Sequence, residues 1–313
     1  MAAYVKMSRF LFLHTGYYHL EISEKTKWLP TNSKRSIMID LHMHSTASDG
    51  TDTPQEIITK CHKLGLQLSA ITDHDTIDSQ AEAIDTAKRL GVAYITGAEF
   101  SAIYSGELHI LAYGIDLKNQ ALVTMFEELR ESRVQRVHAI LEQLQKRNMN
   151  ISFEDVERFS SGNTLGRPHV ALALMDKGYA SDLQDAFNQY LNENGLCYVQ
   201  RRKLTPKQTI DLILNAGGVP VLAHPKFIRT DSLFNTVKEM KDMGIMGIEA
   251  YYPAHTDTDI SKYLNIAKEL DLLVTAGSDY HGKMRKYTAI ACEKRGGELL
   301  KNAIEVLQKY AVK

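Results

Sequence analysis

Cysteine is scarce in this chain, proline is rare, and neither sign of charge prevails. The three cysteines, Cys61, Cys197 and Cys292, are scattered and show no metal-site or redox spacing. That usage fits a reducing, cytoplasmic compartment. No run approaches the roughly 18 apolar residues of a membrane span, so no membrane partner is expected. The formal net charge of −1 excludes an overall basic field able to hold long duplex nucleic acid. A phosphate-bearing substrate would therefore be held locally, by a metal or a few arginines. Nothing calls for an obligate protein partner. What is present is 313 residues at 44% hydrophobic content with few glycines and prolines, enough for one large α/β domain or a domain with a sizeable insertion.

Residues 1–37 read as an extension outside the folded unit. Phe10-Leu11-Phe12-Leu13 is too short for a signal-peptide core, and Lys25, Lys27, Lys34 and Arg35 lie in a polar run. The alternative is an ordered element packed on the rest. From Met38 the chain alternates strand and helix. Ile39, Leu41 and Met43 alternate with Asp40, His42 and His44, the period of a strand. Thr53-Pro54-Gln55-Glu56 is a capping box whose helix ends at Gly65. Strands are expected at Leu68 to Thr72, Ala93 to Thr96 and Glu107 to Tyr113, with a helix from Ser79 to Leu90. Residues 117–204 are helical in pattern and read as an insertion domain between barrel segments 38–116 and 205–313. The alternation resumes with Thr205-Pro206-Lys207-Gln208 and strands at Val219 to Ala223, Ile245 to Tyr251 and Leu272 to Ala276. The expected class is α/β, a βα barrel interrupted by helices.

On a strand, His42 and His44 point to one side. A lone H-x-H is more often a packed core histidine than a ligand. Here it has company, because His42, His44, His74, Glu99, His224, Asp279 and His281 all fall at or just beyond predicted strand ends. In a parallel barrel those ends share the face where active sites sit. Imidazole and carboxylate donors without thiolate suit Mn²⁺, Fe²⁺ or Zn²⁺. Their number exceeds one tetrahedral shell, so two or three ions are expected.

The succession H-x-H…D-G at His42 to Gly50, T-D-H-D at Thr72 to Asp75, G-x-E ending in Glu99, His109 on the fourth strand, A-H-P at Ala223 to Pro225 and G-S-D-x-H at Gly277 to His281 resembles the polymerase and histidinol phosphatase (PHP) family of metal-dependent phosphoesterases. The resemblance runs from Met38 to about Gly282. Gly166-Arg167-Pro168-His169 within the helical segment is similar to the nucleoside 3′,5′-bisphosphate phosphatase branch, whose members also act as 5′→3′ exoribonucleases on short RNA. It implies a distorted (β/α)7 barrel and up to three metals, with manganese favoured. It further implies that His42, His44, Glu99 and Asp279 hold one ion, that Glu99 bridges to a second on His109 and His224, and that Asp49, His74 and His281 hold a third. Many members carry histidine where Asp49 stands. Asp73 would orient a ligand or bind directly; the alternative is an N-cap. The ions would acidify a water that attacks phosphorus in line, with an arginine absorbing charge. His281 or a water would protonate the leaving oxygen.

Substrate would be read by the helical segment. Arg133 falls in the apolar stripe Phe126, Leu129, Val137, Ile140 and Leu144. It needs an anion there, either a substrate or a structural carboxylate. Arg130 and Arg136 flank the stripe and read as solvated, the alternative being that either helps to hold that anion. Arg167, at a turn before the helix Val170 to Lys177, and His169 offer a phosphate site, with Arg167 also able to assist catalysis. His62, His138 and His255 read as surface residues. The expected activity is removal of the 3′-phosphate of a nucleoside 3′,5′-bisphosphate. Alternatives are exonuclease action on short oligoribonucleotides, histidinol-phosphate hydrolysis, and a non-enzymatic PHP module.

Overall fold

The computed structural model describes residues 38–160, 162, 164–285, 288–291 and 298–312. The expectations for residues 1–37 and for Cys292 lie outside them. Helix α1 (Pro54–Leu64) begins as its residues dictate. Thr53 Oγ1 accepts from Glu56 N at 3.2 Å and Glu56 Oε2 accepts from Thr53 N at 2.8 Å, satisfying two orphan donors at once. Gly65, at φ 68°, closes it in the left-handed conformation that an L side chain resists. Helix α2 is Gln80–Leu90, and α7 (Pro206–Asn215) repeats the capping box with Thr205 and Gln208.

Among the described residues there are seven short strands: β1 (Ile39–Asp40), β2 (Leu68–Ser69), β3 (Gly97–Ala102), β4 (Leu108–Tyr113), β5 (Val219–Leu222), β6 (Gly247–Tyr251) and β7 (Leu273–Ala276). Strands β1 and β2 pair in parallel, while β3 to β7 form one five-stranded sheet in chain order. Backbone hydrogen bonds join the two sheets at both edges. Leu41 N donates to Ala276 O at 3.1 Å and His44 N to Tyr280 O at 2.8 Å; Ile95 N donates to Ser69 O at 2.9 Å and Glu99 N to Asp73 O at 3.1 Å.

Two expectations are corrected. The sheet is mixed, because β4 runs antiparallel to both β3 and β5. The third strand is also displaced along the chain. Regular pairing starts at Gly97, where the sequence pattern ends the strand, so Glu99 lies within β3. The cause is the six-pair hairpin register with β4, from Gly97↔Tyr113 to Ala102↔Leu108, which pattern alone does not reveal.

Residues 117–203 contain no strand among the described residues and supply α3 (Gln120–Gln145), α4 (Phe153–Glu157), α5 (Arg167–Asp176), α6 (Leu183–Ala186) and a π-helical turn, Phe187–Leu191. Helix α3 serves two cores. Its first half buries Leu122, Phe126 and Leu129 among the strand residues. Its second half buries Val137, Ile140, Leu141 and Leu144 with Val170, Leu174 and Cys197. Arg133 sits where one core gives way to the other. The chain rejoins the sheet where Ile103 N donates to Leu204 O at 2.8 Å. The remaining helices are α8 (Leu233–Met243), α9 (Asp257–Glu269) and α10 (Glu298–Leu307).

Candidate metal centre

His42 and His44 follow β1 with their rings fully buried, while Leu41 and Met43 pack into apolar cores. Glu99, on β3, meets five imidazoles. His109 Nδ1 lies 2.8 Å from Oε1, His224 Nε2 3.0 Å and His42 Nε2 3.3 Å; His74 Nδ1 lies 2.9 Å from Oε2 and His44 Nε2 3.3 Å. His109 gets there because β4 is antiparallel: it pairs with Ser101, which sets Glu99 diagonally across the same face. Asp279 Oδ1 is 3.2 Å from His44 Nε2 and 3.6 Å from His42 Nε2. Asp49 Oδ1 is 3.3 Å from His281 Nε2 and 3.9 Å from His44 Nδ1.

These separations fit metal coordination. Donors about 2.0–2.2 Å from a shared ion lie roughly 3.0–3.6 Å from one another. Among the described residues four groups bring one donor atom from each member within 4.8 Å of the others: His44, Asp49, His74 and His281; His42, Glu99 and His224; His42, His44 and Asp279; and His74, Glu99 and His109. Several buried donor atoms among them have no hydrogen-bond partner among the described residues, namely His42 Nε2 and both His44 nitrogens. Buried polar atoms without partners are costly, and a cation offsets that cost. Burial alone would push the Glu99 carboxyl up, but the imidazoles of His109, His42 and His74 hold it well below its usual range.

Residues behind the donors fix their orientation. Glu249 on β6, fully buried, places Oε1 3.0 Å from His42 Nδ1 and accepts from His224 N at 2.8 Å through Oε2. That commits His42 Nε2 to the cluster. Gly277 admits this contact, since a Cβ there would lie 2.6 Å from Glu249 Oε1. Tyr252 Oη donates to Asp279 Oδ2 at 2.8 Å and Arg285 pairs with the same oxygen, leaving Oδ1 for the histidines. His281 Nδ1 lies 2.8 Å from the Asp279 carbonyl, which only accepts, so the proton sits on Nδ1 and Nε2 keeps its lone pair. Asp75, His224 and Asp279 have positive φ of 52°, 23° and 51°, strain of a kind that clusters at functional sites.

The remaining expected residues fall elsewhere. Asp73 is turned away from the cluster and accepts from Ser45 N at 2.8 Å, Ser45 Oγ at 2.7 Å and Ser48 Oγ at 2.6 Å. It anchors the loop that carries Asp49 and caps no helix. Arg133 meets Asp75 Oδ2 through Nε at 3.1 Å and Nη2 at 2.5 Å. Arg167 is the first residue of α5 rather than a turn before it, Pro168 being tolerated in a first turn. Its Nη1 donates to Leu191 O at 3.1 Å. His169 Nδ1 accepts from Gly166 N at 3.0 Å, leaving Nε2 as the ring's donor. His255 is buried, not exposed, with Nδ1 3.0 Å from Ala250 O.

A cavity of about 770 Å³ opens beside the cluster, lined by Asp49, His74 and His109 together with Arg133, Arg136, Arg167, Arg201 and Lys203. Arg201, Lys203 and Arg285 stand out in the sequence only through the basic run Arg201-Arg202-Lys203, and Arg136 lines the cavity rather than lying free in solvent. Glu249, Tyr252 and Asp75 were missed as well. No described helix is long and apolar enough to cross a membrane.

The sequence matches the PHP domain family over residues 40–198. It is 30% identical over 256 residues to the 5′-3′ exoribonuclease Rnm of Escherichia coli strain K12, covering 80% of this chain and 87% of that protein. It is 31% identical over 247 residues to the 3′,5′-nucleoside bisphosphate phosphatase of Chromobacterium violaceum, covering 78% and 87%. A crystal structure from Bifidobacterium adolescentis, described as a metal-dependent phosphoesterase, superposes with a TM-score of 0.78 at 28% identity, covering 89% of this chain and 98% of that one.

Proposed function

Because this chain belongs to the PHP family and is a metal-dependent phosphoesterase, we propose that it hydrolyses the 3′-phosphate of a nucleoside 3′,5′-bisphosphate. The observation that carries the reading is one cavity with two kinds of wall. Residues of a donor cluster fit for cations share it with a set of cations fit for an anion, so one phosphate can be cleaved while another is held. The Chromobacterium violaceum relative is named for such a phosphatase. The Escherichia coli relative's name supports a second reading, 5′-3′ exoribonuclease action on short oligoribonucleotides. Lys226, Arg229 and Arg285 on the cavity lining offer further phosphate contacts for such a chain.

The proposed architecture is a distorted (β/α)7 barrel of segments 38–116 and 205–313 with the helical insertion 117–204. The hydrogen bonds that join β1 to β7 and β2 to β3 support closure, and the second core built on α3 supports the insertion. Two to three divalent ions are proposed, manganese first and iron or zinc as alternatives. His42, His44, Glu99 and Asp279 would hold one, Glu99, His109 and His224 a second, and Asp49, His74 and His281 a third.

Bound ions would supply Lewis acidity at phosphorus and an acidified water. The chain's own residues do the rest. Glu249, Tyr252 and Arg285 aim the donors. Arg133, Arg167 and His169 Nε2 bind the phosphate that is not cleaved, and Arg167 also neutralises charge. His281 Nε2 carries a lone pair, which suits a ligand; acting as the acid would require its imidazolium form.

The test is phosphate release from adenosine 3′,5′-bisphosphate, adenosine 3′-monophosphate and short oligoribonucleotides with Mn²⁺, for wild type, Arg133→Ala and Arg167→Ala. Loss of one charged hydrogen bond of about 1.5–3 kcal/mol should lower kcat/KM for the bisphosphate roughly ten- to hundredfold. The 3′-monophosphate should lose much less. Equal losses on both would refute these roles, and turnover of oligoribonucleotides alone would favour the second reading.

A further inference from the structure

Asp75 follows the candidate ligand His74 and is fully buried with its carboxylate. Oδ1 accepts from Ser101 N at 3.2 Å. Oδ2 takes three donors from two arginines: Arg133 Nε at 3.1 Å, Arg133 Nη2 at 2.5 Å and Arg201 Nη2 at 2.6 Å. Arg133 lies on α3, on the way into the helical segment, and Arg201 on the way out. One carboxylate therefore pins both crossings to the loop that carries His74.

We infer that Asp75 is a positioning residue for substrate phosphate, setting Arg133 and Arg201 as a fixed pair on the cavity wall at a constant distance from the donor cluster. This rests on the phosphoesterase reading above. One arginine suffices to balance the charge of the Asp75 carboxylate. Here two converge on a single oxygen, both line the cavity, and Arg133 Nη1 makes no hydrogen bond among the described residues. Beside them, Arg136, Arg167 and Lys203 form no ion pair with a described residue. Positive charge exceeds what Asp75 balances, which is the condition for holding an added anion. Lys203 lies in the same setting: burial first, and then the repulsion of Arg201 and Arg167, brings its pKa down to about 8. The loop also ties wall to floor through the backbone, since Asp75 N donates to Glu99 O at 2.9 Å and Glu99 N to Asp73 O at 3.1 Å.

The experiment compares wild type, Asp75→Asn and Arg201→Gln as full-length, metal-loaded protein. Calorimetry gives the Kd of adenosine 5′-monophosphate, kinetics give kcat and KM for adenosine 3′,5′-bisphosphate and adenosine 3′-monophosphate, and elemental analysis gives metal content. Asp75→Asn should raise the Kd and the bisphosphate KM about tenfold, the effect of a displaced charged hydrogen bond. Its kcat, metal content and 3′-monophosphate kinetics should stay near wild type. The double variant should lose less than the two single losses combined, because both act on one contact. If Asp75→Asn fails to fold, Asp75→Glu, which keeps the charge but moves the oxygen, should give the same split between substrates. A folded variant with unchanged adenosine 5′-monophosphate affinity, or with equal losses on both substrates, overturns the inference. Wild type that binds adenosine 5′-monophosphate in an Asp75-dependent way yet leaves the bisphosphate intact overturns the substrate reading and keeps the inference. Wild type that does not bind it overturns both.

Discussion

At the cavity floor, five imidazole nitrogens close on the Glu99 carboxylate with donor atoms to spare. At its wall, Arg133 and Arg201 close on Asp75 with cations to spare. The floor is short of positive charge and the wall is short of negative charge. Each is built from side chains costly to bury unless a counterpart arrives. The difference is one of origin as well as sign. Floor residues sit on or beside strands, whereas the wall is assembled from a long helix, a return segment and one strand-end loop. Rigid strand ends suit a donor set that must meet an ion within tenths of an ångström. A helical insertion can change the wall without disturbing the floor.

The severest way to break this contrast is to remove a floor carboxylate. Asp279→Ala should lower turnover by more than roughly a thousandfold, as expected for loss of several kcal/mol of charge stabilisation, and should release at least one ion. His42→Ala should do the same. Normal rates with full metal content by elemental analysis in either variant would remove the floor from the chemistry. Adenosine 5′-monophosphate affinity at the wall should fall far less.

A milder cut leaves the donors in place and frees one of them. Glu249→Gln keeps the size of the side chain but loses the charge that holds His42 Nδ1. Metal affinity should weaken by roughly 10–100-fold, the usual cost of losing an orienting carboxylate. Competition against a chelator of known affinity would measure it, and an unchanged dissociation constant would show that His42 is held by packing alone.

The smallest effect sharpens the wall. Burial and its arginine neighbours put Lys203 at about 8, against an ordinary value of 10.5. Between those values the unfolded chain keeps a proton that the folded protein has released, so stability rises with pH across that window. Anion binding moves the other way, because the same charge is lost from the wall. The Kd of adenosine 5′-monophosphate should rise between pH 7.5 and pH 9.5 by no more than about tenfold, the worth of one charged hydrogen bond. Lys203→Arg should flatten the curve, and identical curves for both proteins would rule Lys203 out as a contributor.

The floor was largely legible in the sequence, and the wall was not. His42, His44, His74, Glu99, His224, Asp279 and His281 belong to residue types that stand out at strand ends, and their spacing follows from the strands. Even there, pairing direction stayed hidden: an apolar run such as Leu108 to Tyr113 reads alike in parallel and antiparallel sheets. Arginines are common on helices, so Arg133 gave two equal readings. The structure satisfies the structural-carboxylate reading through Asp75 and leaves the substrate reading open through the place of Arg133 in the cavity. Arg201 and Asp75 are 126 residues apart in sequence, and no local pattern reports such a meeting. Asp73 and Asp75 flank the same histidine, yet one anchors a serine loop and the other two arginines. Only the backbone path, with Asp75 at φ 52°, separates them.

The β3–β4 hairpin has a kinetic consequence. Glu99 and His109 are 10 residues apart, whereas His224 meets Glu99 across 125 residues and Glu249 meets His42 across 207. Hairpins close in about 1–10 μs, while contacts this distant must first overcome loop-closure entropy. The pair at the centre of the site can therefore form early, as a local nucleus. Asp279 and His281 follow β7 and join His42 and His44 only when β7 docks beside β1, so a chain still emerging during synthesis holds part of a chelate until that seam closes.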